Sequence, residues 1–196
     1  MYIVDITRKE KNNYESDMLF GKLTTDAKTK TLDYIIDYAL ANCNIRIDKR
    51  LLDSELDITR FSLKNFIKDA YHLDIEQDLL IQVFPFFEED KCVVKTFNKD
   101  GDGFPSIHVF EDEKLSKSYM AYLINDSLIN TLAENNKLEE YEKEKVDVNN
   151  FDNISYSYNN NSFEMTSLYN GGLFLEELLN NSLSLKQQKD NLDVKI

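Results

Sequence analysis

The turn at residues 98–103 comes nearest to a known chemical motif. It matches the first half of an EF-hand loop through four residues, Asn98, Asp100, Asp102 and Gly103. Calcium in such a loop needs about six or more oxygen ligands and a bidentate carboxylate at the twelfth position, where this chain has Val109. We therefore interpret the segment as a hairpin turn and expect no metal site, with Asp100 and Asp102 as the nearest candidates.

Two further pairs of side chains are of types that bind metals. Asp33 and Asp37 lie one turn apart on a predicted helix, where they attract a divalent metal or a basic partner but do not complete an oxygen site. Cys92 and His108 supply half of a zinc site, yet zinc needs about three or four ligands, usually at short paired spacings. We interpret the acidic pair as surface and the two others as structural.

The common catalytic motifs are missing from the sequence. There is no nucleophile elbow, Walker loop or GxGxxG, and the five glycines are too few to build a phosphate cradle. Only two histidines offer a general base, although carboxylates can serve in that role. The sequence therefore predicts no catalytic residue and no cofactor, and it favours a protein that is not an enzyme.

The composition is acidic, with a formal net charge of −13 over 196 residues. Such a charge disfavours direct binding to nucleic-acid phosphates or anionic membranes and favours a basic protein partner. With two cysteines, no secretory signal pattern and no apolar run of about 20 residues, we expect a cytoplasmic protein. Small size, acidity, missing motifs and abundant Asn and Lys favour a phage or mobile-element origin, and the oligomeric state stays open.

A β-rich, aromatic stretch at residues 79–110 predicts the centre of the fold. Its apolar and alternating runs predict three strands of an antiparallel meander, interrupted after Pro85 and at residues 98–103. Amphipathic patterns predict helices that pack on this sheet, over residues 25–44, 62–73 and 116–135. The class that these elements predict is α+β.

Local signals place the ends of these helices and the flanking elements. Ser62 and Ser116 are predicted caps, and His72 ends the second helix. Near the amino terminus we predict a short strand over Tyr2–Ile6 and a turn or loop over Lys9–Ser16. Beyond the predicted helices, the patterns indicate a hairpin over residues 154–169 and a helix after the glycine pair at 171–172. We predict a main domain over 1–146, an extension over 147–184 and a frayed tail over 185–196.

The hypothesis that follows is an acidic binding protein that occupies a basic surface, for example as a nucleic-acid mimic that inhibits a nucleic-acid-processing enzyme. The predicted binding residues are acids and neighbouring aromatics: Asp33, Asp37, Tyr38, Phe86, Phe87, Glu88, Glu89, Asp90, Glu111, Asp112 and Glu113. One alternative is a metal-dependent hydrolase or nuclease that uses the carboxylates of Asp33, Asp37, Asp100 and Asp102. Another is a homo-oligomeric structural or assembly protein.

Overall fold

A computed structural model describes residues 2–11, 13–21, 25–56, 59–84, 91–98 and 103–167. Its strands are β1 Tyr2–Glu10, β2 Asn13–Gly21, β3 Arg60–Ser62, β4 Asp78–Phe84, β5 Cys92–Asn98, β6 Ser106–Phe110, β7 Ser155–Tyr158 and β8 Asn161–Ser167. Its α-helices are α1 Thr25–Cys43, α2 Lys49–Glu55, α3 Leu63–Tyr71, α4 Glu113–Glu134 and α5 Tyr141–Glu144. Helices and two separate antiparallel sheets confirm the α+β class.

The described residues form two compact units, the first up to residue 84 and the second from residue 91. The first unit contains a sheet with the strand order β2-β1-β4-β3, and the second contains a sheet with the order β6-β5-β8-β7. The predicted single meander over 79–110 is therefore wrong, because β4 pairs with β1 and β3 while β5 pairs with β6 and β8. An apolar strand matches many partners, so its composition alone does not select one.

The first sheet begins with a long hairpin of β1 and β2, which pair from Tyr2 opposite Gly21 to Glu10 opposite Asn13. The prediction of a loop over Lys9–Ser16 is wrong, since most of that segment lies in these two strands. Its polar composition reflects a solvated end of the hairpin. There Arg8 donates a hydrogen bond to Asp17 across the strands at 2.8 Å.

One face of this sheet meets the helices of the first unit. Val4, Ile6 and Ile81 point to that face and are almost fully buried against α1, α2 and α3. Burial of each such side chain contributes about 1.5–3 kcal/mol. The opposite face is also buried but partly polar, because Asp5 there accepts hydrogen bonds from Thr7 and Ser16.

The ends of α3 confirm the local predictions. The Ser62 hydroxyl accepts a hydrogen bond from the backbone N–H of Asn65 at 3.2 Å, which satisfies an amide of the first turn. Asp78 of β4 adds a second acceptor for that turn, since its carboxylate binds the N–H of Lys64 at 2.8 Å. His72 ends the helix with a φ of 55°, in the left-handed conformation that is common after a last turn.

In the second unit, α4 packs on one face of its sheet through Met120, Ile124 and neighbouring side chains. The helix starts earlier than predicted, because Asp112 rather than Ser116 is its cap and accepts from the N–H of Leu115 at 2.8 Å. Ser116 is instead fully buried within the first turn, where its hydroxyl donates to the carbonyl of Glu113.

The hairpin that was predicted over 154–169 is present as β7 and β8, and β8 pairs with β5 inside the second sheet. The predicted helix after residue 171 and the tail over 185–196 lie outside the described residues. The division into a main domain over 1–146 and an extension over 147–184 therefore stays a prediction.

Two tyrosines of α1, Tyr34 and Tyr38, lie in the core of the first unit with stacked rings. Burial raises the pKa of the Tyr38 hydroxyl above its ordinary value of 10.0. The unfolded chain releases this proton near that value while the folded chain keeps it. The contribution of the protonated Tyr38 hydroxyl to the free energy of unfolding is therefore fully present below pH 10 and is lost as the pH rises beyond that value.

We therefore expect the native chain to lose free energy of unfolding between pH 9 and pH 11. In Tyr38→Phe this loss should be about 1 kcal/mol smaller, because the ionising hydroxyl is gone. Urea unfolding followed by circular dichroism at both pH values measures this difference. Tyr122→Phe is the matched control, because the Tyr122 side chain is 63% exposed. An equal pH dependence in the native chain and the Tyr38→Phe variant would contradict the expectation.

Candidate functional site

The second unit contains an open cavity of about 700 Å³ beside α4. Its walls come from four places: the end of β5, the start of β6, the turn between β7 and β8, and the second half of α4. Asn98 and Gly103 belong to the lining, so the cavity lies next to the turn that resembles an EF-hand loop. The residues between them, 99–102, lie outside the described part of the chain.

Helix α4 presents parallel rows of side chains to the core, the cavity and the solvent. Residues four apart lie on the same side of a helix, so each row repeats at that interval. The inner row is buried, the middle row is half-buried and the outer row is exposed. The inner row consists of Met120, Ile124, Leu128 and Leu132, the middle row of Leu123, Ser127 and Thr131, and the outer row of Asp126, Asn130 and Glu134. The middle and outer rows line the cavity.

The asparagine turn between β7 and β8 is fastened to the middle row. Asn159 donates to the Thr131 hydroxyl at 2.9 Å, and Asn161 donates to the Ser127 hydroxyl at 2.8 Å. Asn159 has a φ of 51°, a left-handed conformation that asparagine tolerates better than most residues and that a two-residue hairpin turn requires. The backbone conformation of the turn and its two hydrogen bonds to α4 therefore together fix this part of the cavity wall.

The lining of the cavity is acidic and rich in amides. Asp126 and Glu134 carry its carboxylates, and no Lys, Arg or His occurs among the described lining residues. Asp126 accepts only a long hydrogen bond of 3.4 Å from Asn130, and no described residue forms an ion pair with Glu134. The cavity therefore offers hydrogen-bond acceptors and negative charge.

After α4 the chain reverses and forms an acidic segment, residues 138–147. The reversal is a Schellman motif, in which Asn136 has a φ of 56° and the N–H of Lys137 donates to the Leu132 carbonyl at 2.8 Å. Further along, the side-chain amide of Asn125 holds the backbone of Val146 on both sides. It donates to the carbonyl at 2.9 Å and accepts from the N–H at 2.8 Å.

Most carboxylates of the acidic segment face solvent. Glu142 pairs with Lys145 at 2.7 Å and Glu140 lies 3.8 Å from Lys137, whereas Glu139 and Glu144 form no ion pair within the described residues. Partial burial, followed by the nearby Glu144 carboxylate, raises the pKa of the Tyr158 hydroxyl. Neighbouring lysines therefore do not cancel the negative potential here.

The predicted binding residues of α1 do not form a joint surface. Asp33 is exposed and pairs with Lys49 at 2.5 Å, and Asp37 is exposed one turn further on. Tyr38 is only 4% exposed and lies in the core, so its ring is not available as an anchor.

The acids at the start of α4 are exposed but have local partners. Glu111 pairs with Lys91 at 2.5 Å, Asp112 caps the helix, and Glu113 pairs with Lys117 at 2.9 Å. The remaining predicted binding residues, Phe86, Phe87, Glu88, Glu89 and Asp90, lie outside the described residues.

The structure describes some, but not all, of the residues that the sequence offered as metal ligands. Asp100 and Asp102 lie outside the described residues. Within the described ranges, no three His, Cys, Asp or Glu side chains come together as a metal site. Cys92 lies 3.4 Å from the Ser167 hydroxyl, and the ring of His108 lies 3.3 Å from the Tyr119 hydroxyl, which agrees with structural roles. None of the described helices has the length and apolar character that are needed to cross a membrane.

Sequence reasoning missed Asp126 and Glu134. Their spacing of eight residues with Asn130 between them indicates a polar row on α4, and this pattern is visible in the sequence. It does not show, however, that the turn at residues 159–161 faces that row.

We expect Asn125→Ala to release the acidic segment from α4, because the substitution removes two hydrogen bonds to Val146, each worth about 1 kcal/mol. Hydrogen exchange of the backbone amides over residues 138–146 should accelerate about tenfold or more, while the amides of the inner row of α4 stay protected. Asn130→Ala is the matched control on the exposed side of the helix. Equal exchange rates in the two variants would contradict this role of Asn125.

Comparison of the chain with protein-family models, curated proteins and solved structures finds no match.

Proposed function

We propose that this chain is a non-enzymatic binding protein whose second unit presents an acidic surface to a basic surface of a partner protein. The uneven distribution of charge supports this proposal. Residues 88–170 contain seventeen acidic and eight basic side chains, whereas residues 1–87 contain fifteen and twelve. The excess of negative charge therefore belongs mainly to the part of the chain that forms the second unit.

The observation that carries the proposal is the position of carboxylates that have no cationic partner among the described residues of this unit. Glu139 and Glu144 lie on the acidic segment, and Asp126 and Glu134 line the cavity of the same unit. Clustered exposed carboxylates repel one another, and a cationic surface relieves that repulsion on binding. Charge complementarity of this kind also accelerates association and makes it sensitive to salt.

The partner that we propose is a nucleic-acid-processing enzyme, because the groove of such an enzyme concentrates Lys and Arg. The chain then acts as an inhibitor that takes the place of a phosphate backbone. We propose the cytoplasm as its location, which agrees with the finding that Cys43 and Cys92 form no disulfide.

The test starts with affinity purification from the native host and identification of the captured protein by mass spectrometry. The dissociation constant of the purified partner is then measured against NaCl concentration. We expect binding to weaken about tenfold or more between 0.05 and 0.5 M salt, because screening shortens the range of the attraction. Replacement of Glu139, Glu140, Glu142 and Glu144 by Gln should weaken binding about tenfold at low salt.

The matched control replaces Glu10, Glu15, Glu55 and Glu76 of the first unit by Gln, which changes the net charge equally. This control should bind within about twofold of the native chain, since the proposed surface is intact. Binding that persists unchanged in half-molar salt, or an equal loss in both variants, would overturn the proposal.

A further inference from the structure

We propose that the cavity of the second unit binds an extended organic polycation through Asp126 and Glu134. The cationic groups are ammonium or guanidinium ions on flexible methylene stems. This inference rests on the proposed function, because the source that we expect is a pair of basic side chains on the partner protein. A free polyamine has the same chemistry and is the other possible source.

The charged residues that line the cavity determine the sign of the charge that its ligand carries. Its described lining contains two carboxylates and no Lys, Arg or His. A phosphate or carboxylate ligand would be repelled by these two carboxylates, and repulsion in a partly enclosed site is stronger than in open solvent. A cation, in contrast, meets carboxylates that have no ion pair with a described residue.

The spacing of the two carboxylates decides the size of the ligand. Asp126 and Glu134 are eight residues apart on one helix, which separates their backbones by about 12 Å along the axis. One metal ion does not bridge that distance, since its oxygen ligands lie at about 2–2.6 Å. A ligand with two cationic groups on an extended chain fits both carboxylates, and the cavity of about 700 Å³ has room for it.

The middle of the cavity suits the rest of such a ligand. Asn130 lies between the two acids and offers an amide oxygen to an N–H donor. Leu123 and Phe104 provide apolar surface for methylene groups. We assign the stem to these residues rather than to Phe97, because the ammonium group of Lys95 already lies 5.6 Å from the centre of the Phe97 ring.

The test titrates the full chain at low salt with two dicationic probes, 1,8-diaminooctane and a capped peptide that contains two arginines. Ethylammonium and a neutral maltose oligomer are the comparison ligands. Backbone amide resonances of Ser127 and Thr131 report on the cavity wall, and those of α1 report on nonspecific binding. We expect both dications to shift the cavity resonances at lower concentration than ethylammonium, with no shift from the sugar.

The double variant Asp126→Asn with Glu134→Gln should weaken binding of both dications about tenfold, the effect of losing charge-assisted contacts. The variant Glu55→Gln with Glu76→Gln removes the same charge from exposed positions of the first unit and should bind within about twofold of the native chain. Both positions of the first variant are exposed on α4, and circular dichroism confirms that each variant is folded.

The results identify the source of the cation and test this inference independently of the proposed function. Tighter binding of the peptide than of 1,8-diaminooctane assigns the cation to a protein partner, and the reverse order assigns it to a free polyamine. Absence of dication binding, binding of the sugar alone, or an equal loss in both variants overturns the inference. If the captured partner still binds the Asp126→Asn, Glu134→Gln variant with native affinity, the proposed function stands without this site. If 1,8-diaminooctane binds but no basic partner does, the proposed function fails while the cavity chemistry stands.

Discussion

The packing of α4 on the second sheet places every group of the candidate site. Water is excluded from the contact between Met120 or Ile124 of the helix and Val94 or Phe163 of the sheet. Each large apolar side chain buried in this way contributes about 1.5–3 kcal/mol, far more than a surface ion pair. Because a helix is rigid over this length, burial of the inner row also determines the directions of the half-buried and exposed rows.

Polar contacts then add the other walls around that helix. Asparagine side chains do most of this work: Asn159 and Asn161 hold the hairpin turn, and Asn125 holds the returning chain at Val146. An amide both donates and accepts a hydrogen bond and carries no charge. These contacts therefore hold neighbouring acids in place without neutralising them.

The sequence predicts the parts of this structure that depend on neighbouring residues. The end of α3 at His72 and its cap at Ser62 follow from groups within one helical turn, and the amphipathic rows of α4 follow from its period. The pairing of β4 with β1 does not follow, because the two strands are far apart in the chain and their apolar residues match many partners. The cavity is less predictable still, since it requires the hairpin turn at Asn159 to lie against Thr131. Tyr38 illustrates a related limit, because it is predicted from the sequence as a binding residue and packing buries it in the core.

The attachment of the acidic segment has a consequence for how the protein can evolve. Val146 ties the segment to the rest of the unit, while Glu139, Glu142 and Glu144 point into solvent. Substitutions at those three positions leave the apolar contacts of α4 untouched, so they carry little thermodynamic penalty. Selection can therefore change the charge and polarity of this segment while the packing beneath it stays constant.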